Sequence, residues 1–162
     1  MANLKLFSAS VPGSRKGSQE GAVALEFLML FPFVVAMLYA SAIYGIVFFS
    51  QYRLQNVVDR AVATALYVDR SAFQGEQMEG AVVNRASQAM SGLLATLPGP
   101  LSNLEGGASS CAVEAVGGVE MLRCGVTYNY KENPIVPVMS FGLLGTFPPL
   151  PDTLEAEARA AF

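Results

Sequence analysis

The chain has 162 residues, enough for a membrane anchor and one small domain, and a formal net charge of −3. Just over half of its residues are hydrophobic and 14% are charged, which is too apolar for an ordinary small soluble domain. It has no histidine, which excludes histidine-based triads and most catalytic zinc sites. Acids outnumber bases from Gln51 onward, which disfavours nucleic-acid binding.

The first residues are polar and basic: Lys5, Arg15 and Lys16 precede an apolar run, with Glu20 alone opposing them. The run begins at Ala22, yet Glu26 stands inside it and Gly21 stands just before it. A charge at the centre of a bilayer costs about 2.5–3.5 kcal/mol on the insertion scale, so a plain anchor would avoid Glu26. From Phe27 to Ser50 no residue is charged. As a helix that stretch would be about 36 Å long, against a hydrocarbon core of about 30 Å. It can span a bilayer with a modest tilt, and it is too long for a secretory h-region of about 7–15 residues. The positive-inside rule places the N-terminus in the cytoplasm and the C-terminal part outside. Pro32 predicts a mild helix kink, its freed carbonyl satisfied by neighbouring helices or water.

The helix continues past the apolar run. Leu54, Val57, Val58, Ala61, Val62, Ala65 and Leu66 recur at three- and four-residue spacings, while Arg53, Asn56, Asp59, Arg60 and Thr64 take the other side. One helix from about Ala22 to about Asp69 follows, apolar all round in its first half and amphipathic in its second. A second helix is predicted from Glu76 to about Thr96, with Val82, Val83, Ala86, Met90, Leu93, Leu94 and Leu97 as its core stripe and Pro98-Gly99-Pro100 ending it.

Residues 102–110 read as a loop. Gly117-Gly118 then separates two strand-like runs, as a two-residue hairpin turn does. With Val116 facing Val119, Cys111 faces Cys124 on a non-hydrogen-bonded pair, where side chains are closest. Leu122, Cys124, Val126, Tyr128 and Tyr130 share one face of the second strand, opposite Arg123, Thr127 and Asn129. A Cys111–Cys124 disulfide is the expectation, two free buried thiols the alternative; an extracytoplasmic location permits the bridge. The spacing is not that of a redox motif.

Ile135 to Leu150 is apolar and broken by Pro137, Pro148 and Pro149, and reads as a loop or broken excursion between strands, able to act as a contact surface. In the last ten residues Leu154, Ala156, Ala158 and Ala160 alternate with Glu155, Glu157 and Arg159. Propensity allows a helix capped by Asp152; the alternation favours a strand completing the sheet. The fold class is therefore α+β: a long N-terminal helix with a transmembrane half and an amphipathic half, a second helix, and a small antiparallel sheet with a disulfide-bridged hairpin. Nothing in the sequence points to an enzyme, a cofactor or a metal: there is no phosphate loop and no nucleophile with a base beside it.

From Gly21 to about Leu66 the sequence resembles TadE-like proteins, minor pseudopilins of the tight-adherence (Flp-type) pilus system and relatives of type IV pilins. The residues that carry the resemblance are "GAVALEFLMLFPF", with glycine, four residues, then Glu26-Phe27 and Pro32, followed by "QYRLQNVVDRAVATAL". It implies a leader, residues 1–21, cut by a prepilin peptidase between Gly21 and Ala22 on the cytoplasmic side. It implies a transmembrane helix over 22–50, a periplasmic pilin-like domain over 51–162, and a single-pass location in a bacterial inner membrane or in the pilus itself. Glu26 and Phe27 would then set register, with Glu26 pairing the new amine of Ala22 on its own or a neighbouring subunit. The implied partners are the peptidase, other pilin and pseudopilin subunits, and an assembly platform with a separate ATPase, supporting pilus biogenesis and adhesion. The competing expectation is an uncleaved single-pass protein whose outer domain scaffolds an envelope complex or binds a ligand there.

Overall fold

The computed structural model describes residues 19–162 except 70, 74, 103, 105, 106, 138, 141, 143 and 144, with backbone alone for 19–22 and 76. The described chain divides into two units, the first ending at Tyr39 and the second running Ala40–Phe162. The long helix α1, Gln19–Ala65, belongs to both.

In the first unit the described chain is helix. Its large side chains lack cover: Phe27 is 65% exposed, Leu28 74% and Met37 72%. α1 runs through Pro32, which has no N–H to donate to the carbonyl of Leu28. The rings of Phe27 and Phe31, one turn apart, lie 5.7 Å between centroids in a tilted pair.

The second unit is two-layered. The remainder of α1 is followed by α2, Glu76–Ala95, a 3₁₀ turn at Gly99–Ser102, β1, Ala108–Val116, and β2, Val119–Asn129; then come β3, Met139–Ser140, β4, Thr146–Phe147, and β5, Thr153–Ala161. The main sheet is antiparallel in the order β1-β2-β5. Its inner face meets both helices. Leu54, Val58, Ala61 and Ala65 of α1, Val82, Ala86, Met90 and Leu94 of α2, Leu122, Cys124, Val126 and Tyr128 of β2, and Leu154 and Ala156 of β5 form one buried core. Each fully buried leucine or valine contributes about 1.5–3 kcal/mol relative to exposure.

The hairpin register is the expected one, from Val116↔Val119 outward to Cys111↔Cys124 and Ala108↔Thr127. Gly117 and Gly118 both have positive φ, 62° and 83°, as the turn between right-twisted strands demands. β5 is a strand, paired with β2 from Thr153↔Asn129 to Ala161↔Met121. Alternation prevailed over helix propensity because β2 offered a free edge along its whole length.

Three details differ from expectation. α1 ends at Ala65, not near Asp69: the N–H groups of Leu66, Tyr67 and Val68 bond three residues back, tightening the end into a turn. The Asp69 carboxylate then accepts from the N–H and hydroxyl of Ser71, which opens the loop and holds that carboxyl below its usual pKa. β1 starts at Ala108, inside the expected loop, because Ala108, Ser109 and Ser110 find partners on β2 despite weak strand propensity. Finally, the apolar excursion between Ile135 and Leu150 contains a ribbon, with Met139 paired to Phe147 and Ser140 to Thr146.

Candidate functional site

The candidate site is the first turns of α1. Gly21 and Ala22 lie in its opening turn. A glycine within a helix costs about 1 kcal/mol against alanine. Residues 1–18, most of the expected leader with Lys5, Arg15 and Lys16, lie outside the described residues.

Glu26 is exposed on α1, one turn beyond Ala22, among the uncovered side chains of Val23, Leu25, Phe27 and Leu30. Its place near the helix start lets it meet the positive end of the dipole. Phe27 is exposed beside it and packs on Phe31. The arrangement sets one carboxylate among exposed apolar side chains.

An 18-residue window of α1 reaches a mean hydropathy of 2.2 with none of it buried, so α1 is long and apolar enough to cross a membrane. That window is unlike the core helix of a soluble domain, whose apolar surface the fold itself covers.

The second predicted site is formed. Cys111 and Cys124 are disulfide-bonded, with their Cα atoms 4.1 Å apart, the close spacing of a non-hydrogen-bonded pair. Cys124 is fully buried against the core. On the opposite face Arg123 bridges strands: its guanidinium lies 2.7 Å from Glu157 and 3.9 Å from Glu114, and Arg159 also bonds Glu157, at 2.6 Å. The bond from Arg123, then that from Arg159, holds the Glu157 carboxyl below its usual range. Among the described residues no group of three or more His, Cys, Asp or Glu side chains is placed to hold a metal ion.

Sequence reasoning missed the polar contacts along α1. The Gln51 and Gln55 amides donate to the carbonyls of Glu155 and Glu157 on β5, and the Tyr44 hydroxyl donates to the Pro149 carbonyl at 3.0 Å. The visible signal was two glutamines one turn apart at the border of the apolar stripe.

These features define a class: a long apolar N-terminal helix that continues into a compact, disulfide-bridged α+β unit. Residues 21–63 match the family described as TadE-like protein, so the chain carries a TadE-like segment covering about a quarter of its length. The match begins at Gly21 and takes in Glu26, Phe27 and Pro32. A TadE-like segment suggests a place in the tight-adherence pilus system. No curated protein and no solved structure shows significant similarity to the chain.

Proposed function

We propose that this chain is a minor pseudopilin. After a prepilin peptidase cuts between Gly21 and Ala22, it assembles through α1 into, or at the base of, a tight-adherence pilus. The observation that carries this reading is the combination, on one TadE-like helix, of Gly21, Glu26 one turn past Ala22, and an apolar surface that its own unit leaves bare. The cut would leave the helix in the membrane with a positive amine at Ala22. Glu26 of the same or a neighbouring subunit would pair with that amine, because a carboxylate in lipid needs a cationic partner. Phe27 would pack beside the pair and hold the helix register.

In this reading the chain catalyses nothing. A separate ATPase on the assembly platform supplies the force, and the second unit sits on the periplasmic side, where Cys111–Cys124 oxidises readily. The test is N-terminal sequencing of the membrane-extracted protein from cells with and without a functional prepilin peptidase. A mature start at Ala22 that depends on the peptidase is the expected result. A chain that keeps residues 1–21 in both cells overturns it and favours an uncleaved scaffold.

A further inference from the structure

Arg53 is the first charged residue after Glu26 in the sequence. Its guanidinium lies over the ring of Phe49, 4.4 Å from the centroid. Arg60 follows two turns later on the same side of α1. Both line a groove of about 280 Å³ with Phe49, Tyr52, Asn56 and Pro98. Among the described residues, the ion pairs engage Arg123, Arg159 and Lys131, and neither Arg53 nor Arg60 meets a carboxylate. Two uncompensated cations in one groove are conspicuous in a chain of net charge −3.

The surroundings of the groove are apolar. Phe48 is 74% exposed and Tyr52 58%. A neighbouring apolar groove along α1, bounded by Gly45, Ile46, Pro98 and Ile135, shares Phe49 and Arg53 with the first. These residues close the uncharged stretch of α1, where aromatic side chains and the first cation of a membrane helix meet headgroups.

We propose that this groove seats the phosphate of an anionic glycerophospholipid. The guanidinium of Arg53 takes the phosphate oxygens in its planar fork, Arg60 adds the second charge, and Phe49 and Tyr52 lie against the glycerol and upper acyl chains. The occupant is a lipid because the groove is continuous with the apolar stretch of α1 and combines phosphate-binding and acyl-binding character. The inference rests on the membrane-spanning reading of α1. It goes beyond pilus assembly by making the second unit lipid-selective and fixing its height on the bilayer.

The test uses the absence of tryptophan from the chain. The full chain with Tyr52→Trp is reconstituted in vesicles of equimolar phosphatidylcholine and phosphatidylglycerol, with one or the other lipid brominated as a quencher. Brominated phosphatidylglycerol is expected to quench several-fold more strongly, since arginines at the bilayer surface attract anionic lipid. Arg53→Gln with Arg60→Gln should abolish that preference, quenching by phosphatidylglycerol falling and quenching by phosphatidylcholine rising until the two are equal. Arg85→Gln on α2 should leave both unchanged, and added inorganic phosphate should not displace the lipid. Equal quenching by the two lipids, a preference that survives loss of both arginines, or displacement by inorganic phosphate overturns the proposal. So does a groove quenched by neither lipid in a chain that resists alkaline extraction, the behaviour of a site reserved for a protein acid. A chain stripped from the vesicles by alkali overturns the membrane reading itself, and the two failures are thereby told apart.

Discussion

Gln55 donates its side-chain amide to the backbone carbonyl of Glu157 at 2.9 Å, tying helix α1 to the outer edge of strand β5. Gln51, one turn earlier, does the same to Glu155. The geometry explains the match. Two residues four apart on a helix are separated by about 6 Å along its axis, and two carbonyls on the same edge of a strand by about 6.7 Å. The pair agrees with the sheet's hydrogen-bond alternation: with the carbonyls of Glu155 and Glu157 pointing outward, Ala158 faces inward to Cys124, which leaves Cys124 non-hydrogen-bonded toward Cys111.

Those two glutamines satisfy an edge that is otherwise open to pairing with another chain. Replacing both with alanine should lower stability by about 1–3 kcal/mol, at about 0.5–1.5 kcal/mol per bond. It should also raise the tendency of the protein to self-associate through β5. Denaturant unfolding and light scattering of the detergent-solubilised chain read the two effects. Unchanged values for both would show that water replaces the glutamines without loss.

The disulfide joins residues 13 apart in sequence. Closing a loop of that size restrains the unfolded chain by about 3 kcal/mol in the chain-entropy treatment. Cys111→Ser with Cys124→Ser should lose about that much, together with the mismatch of a hydroxyl at the fully buried position 124. Thiol labelling of the denatured, unreduced protein should find neither cysteine free; labelling of both would contradict the bridge.

The hairpin and the second helix were legible because their signals are local. Gly117-Gly118 marks the turn, and once the turn is placed every facing pair follows by counting. The stripe from Val82 to Leu94 repeats at helical spacing. The C-terminal strand was legible only in part: alanine and glutamate favour helix, and the decision came from β2, far away in sequence, which buried Leu154 and Ala156. The β3–β4 ribbon was hidden because two paired residues per strand leave no periodicity to read. The glutamine contacts were hidden for the same kind of reason: Gln55 and Glu157 are 102 residues apart, and no pattern on either segment announces the other. At the helix start, Gly21, Glu26, Phe27 and Pro32 stand at fixed spacings, so the motif was visible in the sequence.

Two glycines in the sheet region should respond in opposite ways to the same substitution. A Cβ on Gly107 would drive into the backbone carbonyl of Thr127, where β1 begins. A Cβ on Gly125 would meet no atom closer than the carbonyl of Ala156, at 3.8 Å. Gly107→Ala should therefore destabilise by about 1–3 kcal/mol, the usual cost of forced overpacking. Gly125→Ala should be neutral or slightly stabilising, since glycine weakens a strand interior. Thermal unfolding of the two variants, compared directly, tests the assignment.

The strand-bridging charges give a pH dependence with a fixed sign. Glu157 has its folded pKa lowered, first by the bond from Arg123 and then by that from Arg159. A carboxyl depressed in the folded state contributes stability above its unfolded pKa, and that contribution disappears as pH falls through the folded value. Stability should thus decline on acidification below the ordinary glutamate range. Arg123→Gln should flatten that part of the profile, and so should high salt, because these groups are exposed. An acid limb unchanged in Arg123→Gln would assign it to other carboxylates.

Glu26 offers the sharpest test of the assembly reading. Near the end of the apolar helix a carboxylate is tolerable to insert, so removing it should not impair membrane entry. In the assembly reading, cleavage at Gly21–Ala22 should also persist in Glu26→Ala. What disappears is the charged partner for the Ala22 amine. A hydrogen bond to a charged group contributes about 1.5–3 kcal/mol, and a loss of that size at each subunit junction is about tenfold or more in the junction's equilibrium constant. Pilus counts should therefore fall sharply while the processed protein stays at normal abundance in the membrane. Glu26→Gln, which keeps the shape and loses the charge, should behave like the alanine variant. Normal piliation in both would show that the amine finds its partner elsewhere and that Glu26 does not set the register.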